Sequence, residues 1–258
     1  MIHLKTNEEL VLMRSAGKVV ADILDALWEV VRPGVSTGEL DRVAEKYISG
    51  SKGTAAFKGY RPSHTMPPFP GTICASVNSE VVHGIPSDHR ILEEGDIVSV
   101  DVGVCLQGYY GDAACTYPVG AIGPERKKLL AVTEKSLDLA IAASLKGNTV
   151  GDVGYAVESY VLSQGCGVVR DYTGHGVGKK LHEPPQVPNF GRPRKGLVLQ
   201  RGMTLALEPM VMSGREEVKL GADEWVVVTA DGSDAAHFER SVVVTDEGPE
   251  ILTPWVSH

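Results

Sequence analysis

The stretch GDIVSVDVGVCLQGYYGDAACTY, Gly95 to Tyr117, decides how the rest of the chain is read. It holds two runs of strand character, 96–104 and 109–117, separated by the turn signal Gln107-Gly108. In the first run Val98, Val100, Val102 and Val104 alternate with Ile97, Ser99, Asp101 and Gly103. Valine packs one face of such a strand, so Asp101 lies on the other. A two-residue loop sets Leu106 opposite Tyr109 and Asp101 opposite Ala114, which leaves Asp112 diagonal to Asp101 on the same face. Two carboxylates aimed at one spot repel each other unless a cation or a shared proton lies between them. The plain alternative is a solvated pair on the wet face of an exposed hairpin. What decides between the two is whether the chain supplies further ligands.

It supplies several. His175 sits in TGHGVGKKLHE, where glycines at 174, 176 and 178 exclude a helix and allow close backbone approach; His182 follows seven residues later. Glu208, in ALEPM, and Glu239, in FERSVVVT, each interrupt an otherwise apolar strand. A charge so placed is costly unless paired or metal-bound. Two Asp, two Glu and one His form an oxygen-rich set suited to a pair of divalent first-row metals. There is no HExxH helix for a mononuclear zinc peptidase, and GHGVGKK lacks the Walker spacing of a phosphate loop.

Around these donors the pattern is α+β, antiparallel strands flanked by helices. A helix is expected over 6–31, capped by Thr6 or Asn7, and a second over 37–49 behind Ser36 or Thr37. The pair recurs downstream, over 125–145 and 149–164. Residues 34–48 laid over 147–161 need no gap and match Gly34 with Gly147, Gly38 with Gly151, Glu45 with Glu158 and Tyr47 with Tyr160. This points to an internal duplication, two related halves about a pseudo-twofold axis with the site in the cleft between them. The Pro-rich stretch GYRPSHTMPPFPGT excludes a regular element and reads as a long ordered loop, with His64 a loop histidine. Short strands are expected at 73–77 and 81–83, and in the second half at 167–172, 204–211, 224–229 and 238–245.

The chain has 258 residues, read as one domain over 1–258, and an ordinary soluble composition. Its formal charge of −8 argues against broad binding to DNA, RNA or anionic membranes. The N-terminal residues are charged and lack an apolar core, so no signal peptide is expected. Cys74, Cys105, Cys115 and Cys166 form no CxxC pair, which points to a reducing cytoplasm and no structural zinc site.

Five motifs in this order, VNSEVVHGIP, DVGVCLQGYYGDAACTY, GHGVGKKLHEPPQVPN, LALEPM and FERSVVVT, resemble type I methionine aminopeptidases of the bacterial, catalytic-domain-only kind. The likeness covers nearly the whole chain. It implies the pseudo-symmetric pita-bread fold of peptidase family M24, in agreement with the repeat. It places metal ligands at Asp101, Asp112, His175, Glu208 and Glu239, and non-ligand catalytic histidines at His83 and His182. It further implies two divalent ions (Co, Mn, Fe or Zn) bridged by Asp112 and Glu239, with Asp101 on one and His175 and Glu208 on the other. Glu208 would move the proton, His182 would bind the scissile carbonyl, and His83 would contact the peptide near the leaving nitrogen. The substrate would be the N-terminal methionine of nascent chains with a small second residue, the ribosome a candidate partner, and the enzyme a cytoplasmic monomer. Tyr60, Phe69, Cys74 and Trp225 are the candidates for the methionine pocket. Three departures stand out: a longer loop over 61–70, Leu181 in place of a bulky aromatic, and Phe57 where some relatives carry cysteine. The rival expectations are a prolidase or aminopeptidase P of the same fold, and a non-catalytic binding protein built on it.

Overall fold

The structure, a computed structural model, describes residues 2–256. Ile97–Leu106 and Tyr109–Pro118 form the central antiparallel hairpin, with Leu106 opposite Tyr109 and Asp101 opposite Ala114, the register the short turn requires. Gln107 and Gly108 carry it at φ 53° and 81°, positive at both central positions as in a type I′ turn. Val98, Val100, Val102 and Val104 are fully buried. The opposite face is covered as well: Ile97, Ser99 and Asp112 are buried and Asp101 is half-buried. The wet-face alternative therefore falls.

Helix α1, Asn7–Leu27, begins at a capping box in which Thr6 accepts from the Glu9 N–H and the Glu9 carboxylate accepts from the Thr6 N–H. It ends four residues short of the expected Val31. Beyond it Trp28, Glu29 and Val30 donate to the Asp25, Ala26 and Leu27 carbonyls in tighter turns, and Pro33 then steers Arg32 out of the helical region. The helix crosses the valine face of the hairpin at Gly17, where a Cβ on the facing Gly111 would strike the Gly17 backbone. The helix lies that close because Gly111 lacks a side chain, while the missing Cβ of Gly17 makes room for the Leu252 carbonyl.

The repeat is visible in backbone hydrogen bonds. Helix α2, Thr37–Ser51, is capped by Ser36, and helix α4, Val150–Ser163, by Thr149 in a capping box with Asp152. Before each cap the chain turns at a glycine with positive φ, 91° at Gly34 and 93° at Gly147. Gly34 N–H donates to the Leu92 carbonyl and Gly147 N–H to that of Leu199; Thr37 N–H donates to Arg90 and Val150 N–H to Leu197. The step that carries Leu92 onto Leu199 also carries Asp101 onto Glu208. Helix α3, Pro124–Ala143, precedes α4 and packs on it, as α1 precedes and packs on α2.

In the second half the antiparallel strands run Pro249–Ile251, Arg240–Val244, Thr204–Leu207, Gly174–Gly176 and Glu183–Val187 across one sheet. The expected strand 204–211 is split into Thr204–Leu207 and Met210–Met212. Pro209 has no N–H for a ladder, so Glu208 stands in the gap. The expected 238–245 begins only at Arg240, and Ala235–His237 is a separate strand, so Glu239 too sits at a break. Short pieces remain of two others, Gly167–Val168 and Val227–Thr229. Among the described residues no helix is long and apolar enough to cross a membrane.

Candidate active site

The sheets of the two halves meet at Ala114 and Glu239. The Glu239 N–H donates to the Ala114 carbonyl at 2.9 Å, and the Ala114 N–H to the Glu239 carbonyl at 3.3 Å. Since Asp101 lies opposite Ala114, and Arg240 opposite Leu207, register alone draws Asp101, Glu239 and Glu208 together. His175 faces Ala206, two residues before Glu208. Asp112 is fastened from the other side: its N–H donates to Ser241 Oγ at 3.2 Å, and that hydroxyl donates back to the Asp112 carbonyl at 2.8 Å. All five candidate donors line one cavity of about 630 Å³.

Within it, His175 Nε2 lies 3.5 Å from Glu208 Oε1 and 3.7 Å from Asp112 Oδ2. Its Nδ1 is 2.8 Å from the Gly176 carbonyl, an acceptor that holds the ring proton there and leaves the Nε2 lone pair free. Donor atoms of Asp112, His175 and Glu239 lie within 4.8 Å of one another, and those of Glu208, His237 and Glu239 form a second such trio. Asp101 belongs to neither trio, but its charge is felt by Asp112, Glu208 and Glu239.

Burial, reinforced by the neighbouring carboxylates, raises Asp112, Glu208 and Glu239 well above the usual carboxylate range. Burial pushes Asp101 up to about 7. Among the described residues, Asp101 Oδ1, Asp112 Oδ1, Glu239 Oε1 and His237 Nε2 are buried with no hydrogen-bond partner. Four crowded carboxylates, three of them with an unpaired buried oxygen, and an open imidazole nitrogen are the donor chemistry of a pair of hard or borderline divalent cations. The residues fit such a centre, which Asp112, His175, Glu208, Glu239 and Asp101 would hold.

His83 and His182 stand at the same cavity. His182 is exposed at the mouth; its ring centroid is 4.4 Å from that of His175, and its Nδ1 is 3.0 Å from the Tyr60 hydroxyl. His83 adopts φ 61°, a conformation rare outside glycine, and sets its ring edge-on to Tyr172 at 5.6 Å. Burial, with His182 nearby, draws His83 and His175 down to about 4, and burial lowers His182. All three are neutral at pH 7.

Opposite the carboxylates the wall is apolar. Phe69, Cys74 and Trp225 pack with Phe57 and Leu181 in one buried cluster, and Tyr60 leans against it. Phe69 meets Trp225 edge-on, with centroids 5.1 Å apart. Cys74 lies opposite Asp101 in the sheet; burial, then the nearby Asp101 and Asp112, keep its thiol protonated. The long loop is pinched at its base, where the Phe69 N–H donates to the Tyr60 carbonyl at 2.9 Å. Thus Tyr60 and Phe69 are fixed neighbours while His64 lies exposed beyond them. His237 lines the same cavity, though none of the five motifs marks it as a ligand. Its place two residues before Glu239 puts both on one face of an extended chain, a signal that was available.

A family model described as Metallopeptidase family M24 matches residues 11–246. A methionine aminopeptidase of Clostridium acetobutylicum is 49% identical over 98% of this chain and 99% of its own length. The crystal structure of a methionine aminopeptidase from Thermotoga maritima superposes with a TM-score of 0.94 at 45% identity, covering 98% of this chain and 99% of that one. A prolidase from Pyrococcus furiosus shares the fold, with a TM-score of 0.76 at 21% identity, and 66% of its chain is covered. The α+β architecture of antiparallel sheets, helices and a repeated half is that of the pita-bread enzymes. The chain belongs to metallopeptidase family M24 and, by likeness along nearly its full length, to the methionine aminopeptidases within it.

Proposed function

We propose that this chain is a metal-dependent exopeptidase that removes the N-terminal methionine from peptides and nascent proteins whose second residue is small. The observation that carries the reading is one cavity with two unlike walls. Asp101, Asp112, His175, Glu208 and Glu239 crowd one side, while Tyr60, Phe69, Cys74 and Trp225 line an apolar recess on the other. An unbranched thioether side chain suits such a recess.

When bound, two divalent ions (Mn, Fe, Co or Zn) supply Lewis acidity that acidifies water and holds a free α-amine. The protein's own groups do the rest. Glu208, half-buried beside His175, accepts a proton and returns it to the leaving amine. With the Tyr60 hydroxyl donating to Nδ1, His182 carries its proton on Nε2 and offers it to the scissile carbonyl oxygen as charge develops. His83, across the cavity, contacts the peptide near the leaving nitrogen. Tyr60→Phe is expected to lower kcat by about tenfold, the worth of one hydrogen bond, with metal content unchanged. Steady-state kinetics with metal analysis checks it.

The chain acts as a monomer in the cytoplasm, with nascent peptides emerging from the ribosome as its partners. A net charge of −8 gives nucleic acid little hold on it. A peptide panel tests the activity: methionine is released from Met-Gly and Met-Ala peptides, and X-Pro dipeptides are left intact. Cleavage of X-Pro substrates alone would mean a prolidase, and cleavage of none, with metal bound, a binding protein.

A further inference from the structure

His237 sets a further imidazole in the cavity wall, beside the carboxylates. It ends the strand Ala235–His237, and only 2% of its surface is exposed. The sheet fixes its place. Its N–H donates to Thr116 Oγ1 at 2.9 Å, the Thr116 hydroxyl donates to its carbonyl at 2.8 Å, and it stands opposite Met210. From there Nε2 lies 3.8 Å from Glu208 Oε2 and 3.8 Å from Glu239 Oε2. Both separations are too long for hydrogen bonds, and among the described residues Nε2 has no other partner. They are, however, the separations of ligands on a shared ion: two donors each about 2.1 Å from one cation stand roughly 3–4 Å apart. The trio shares Glu239 with the trio of Asp112 and His175.

We propose that His237 Nε2 is a direct ligand of the ion held between Glu208 and Glu239, so that the centre contains two imidazoles instead of His175 alone. The proposal rests on the two-ion reading given above. A second nitrogen donor makes the centre less oxygen-rich, which favours zinc, iron or cobalt over manganese. His237→Gln, which keeps the neutral polar character but loses the imidazole, is then expected to shift relative affinity towards manganese.

The test is to strip the full-length chain, labelled with ¹⁵N-histidine, of metal and titrate it with Zn(II), following the imidazole nitrogens by NMR. At two equivalents two Nε2 signals are expected at zinc-bound positions. His237→Gln should remove one of them and weaken one of the two zinc ions by at least about 10–100-fold in calorimetry. Two bound zinc ions with a single zinc-bound imidazole would overturn the assignment of His237 and leave the two-ion centre standing, as would two zinc-bound imidazoles that persist in His237→Gln. Failure to bind two zinc ions would overturn the two-ion reading and this inference with it. If the variant fails to fold, the wild-type titration decides by its count of zinc-bound imidazoles.

Discussion

Asp112→Asn is expected to abolish activity and remove at least one metal ion, while making the metal-free protein more stable. Asp112 stands among His175, Glu239 and Asp101, where its carboxylate would be shared between two ions, and an amide oxygen would be a poor neutral substitute. Loss of a residue that merely supports a ligand costs about 10–100-fold in metal affinity or activity, so loss of a bridging ligand costs more. The gain in stability has the opposite cause. Burial and neighbouring charge raise Asp112, Glu208 and Glu239 in the folded chain, and Asp101 lies at about 7. A carboxyl whose folded pKa is raised lends its full stability below the ordinary carboxylate range and loses it as pH climbs through the folded value. Metal-free wild type should therefore melt lower at pH 8 than at pH 6. The variant, with one charge fewer in the cluster, should lose less, at about 2–4 °C for each kcal/mol regained. Thermal melts of chelator-treated protein, paired with metal analysis, check both parts. Two ions still bound in the variant would reject the bridging role.

His182→Ala should leave the metal content intact and lower kcat by about 10²–10³-fold with little change in KM. The reason is its location. His182 stands at the mouth beside Tyr60, its ring against that of His175, and takes no part in either donor trio. A group that meets the substrate oxygen only as charge develops acts on the transition state and hardly on binding. Kinetics on a Met-Gly peptide with metal analysis distinguish this from a structural effect. A loss of bound metal comparable to the loss of rate would show that His182 is a ligand.

Much of this was legible in the chain because the decisive signals are local. Alternating valines and Gln107-Gly108 set the register of the hairpin, and thereby the relation of Asp101 to Asp112. Thr6, Ser36 and Thr149 marked the helix starts through caps that need only three neighbouring residues. The gapless match of 34–48 with 147–161 located two halves whose hydrogen bonds do correspond. Other features depend on partners far along the chain. Glu208 and Glu239 read as charges within long strands, whereas each sits at a break created where sheets change partner. His237 carries only a partial local signal, its place two residues before Glu239; the join of Thr116 to His237, 121 positions apart, fixes it beside the carboxylates. The residues of the apolar recess, from Phe57 to Trp225, carry no pattern of their own and are neighbours only because the folded halves face each other.

If a pair of cations is held where the two halves meet, anomalous diffraction from crystals grown with Mn(II) should show two peaks about 3.5–4 Å apart. The carboxylate oxygens of Asp101, Asp112, Glu208 and Glu239 and Nε2 of His175 should each lie within about 2–2.5 Å of one or the other. Peaks confined to the surface, or these side chains turned away from any peak, would contradict that placement.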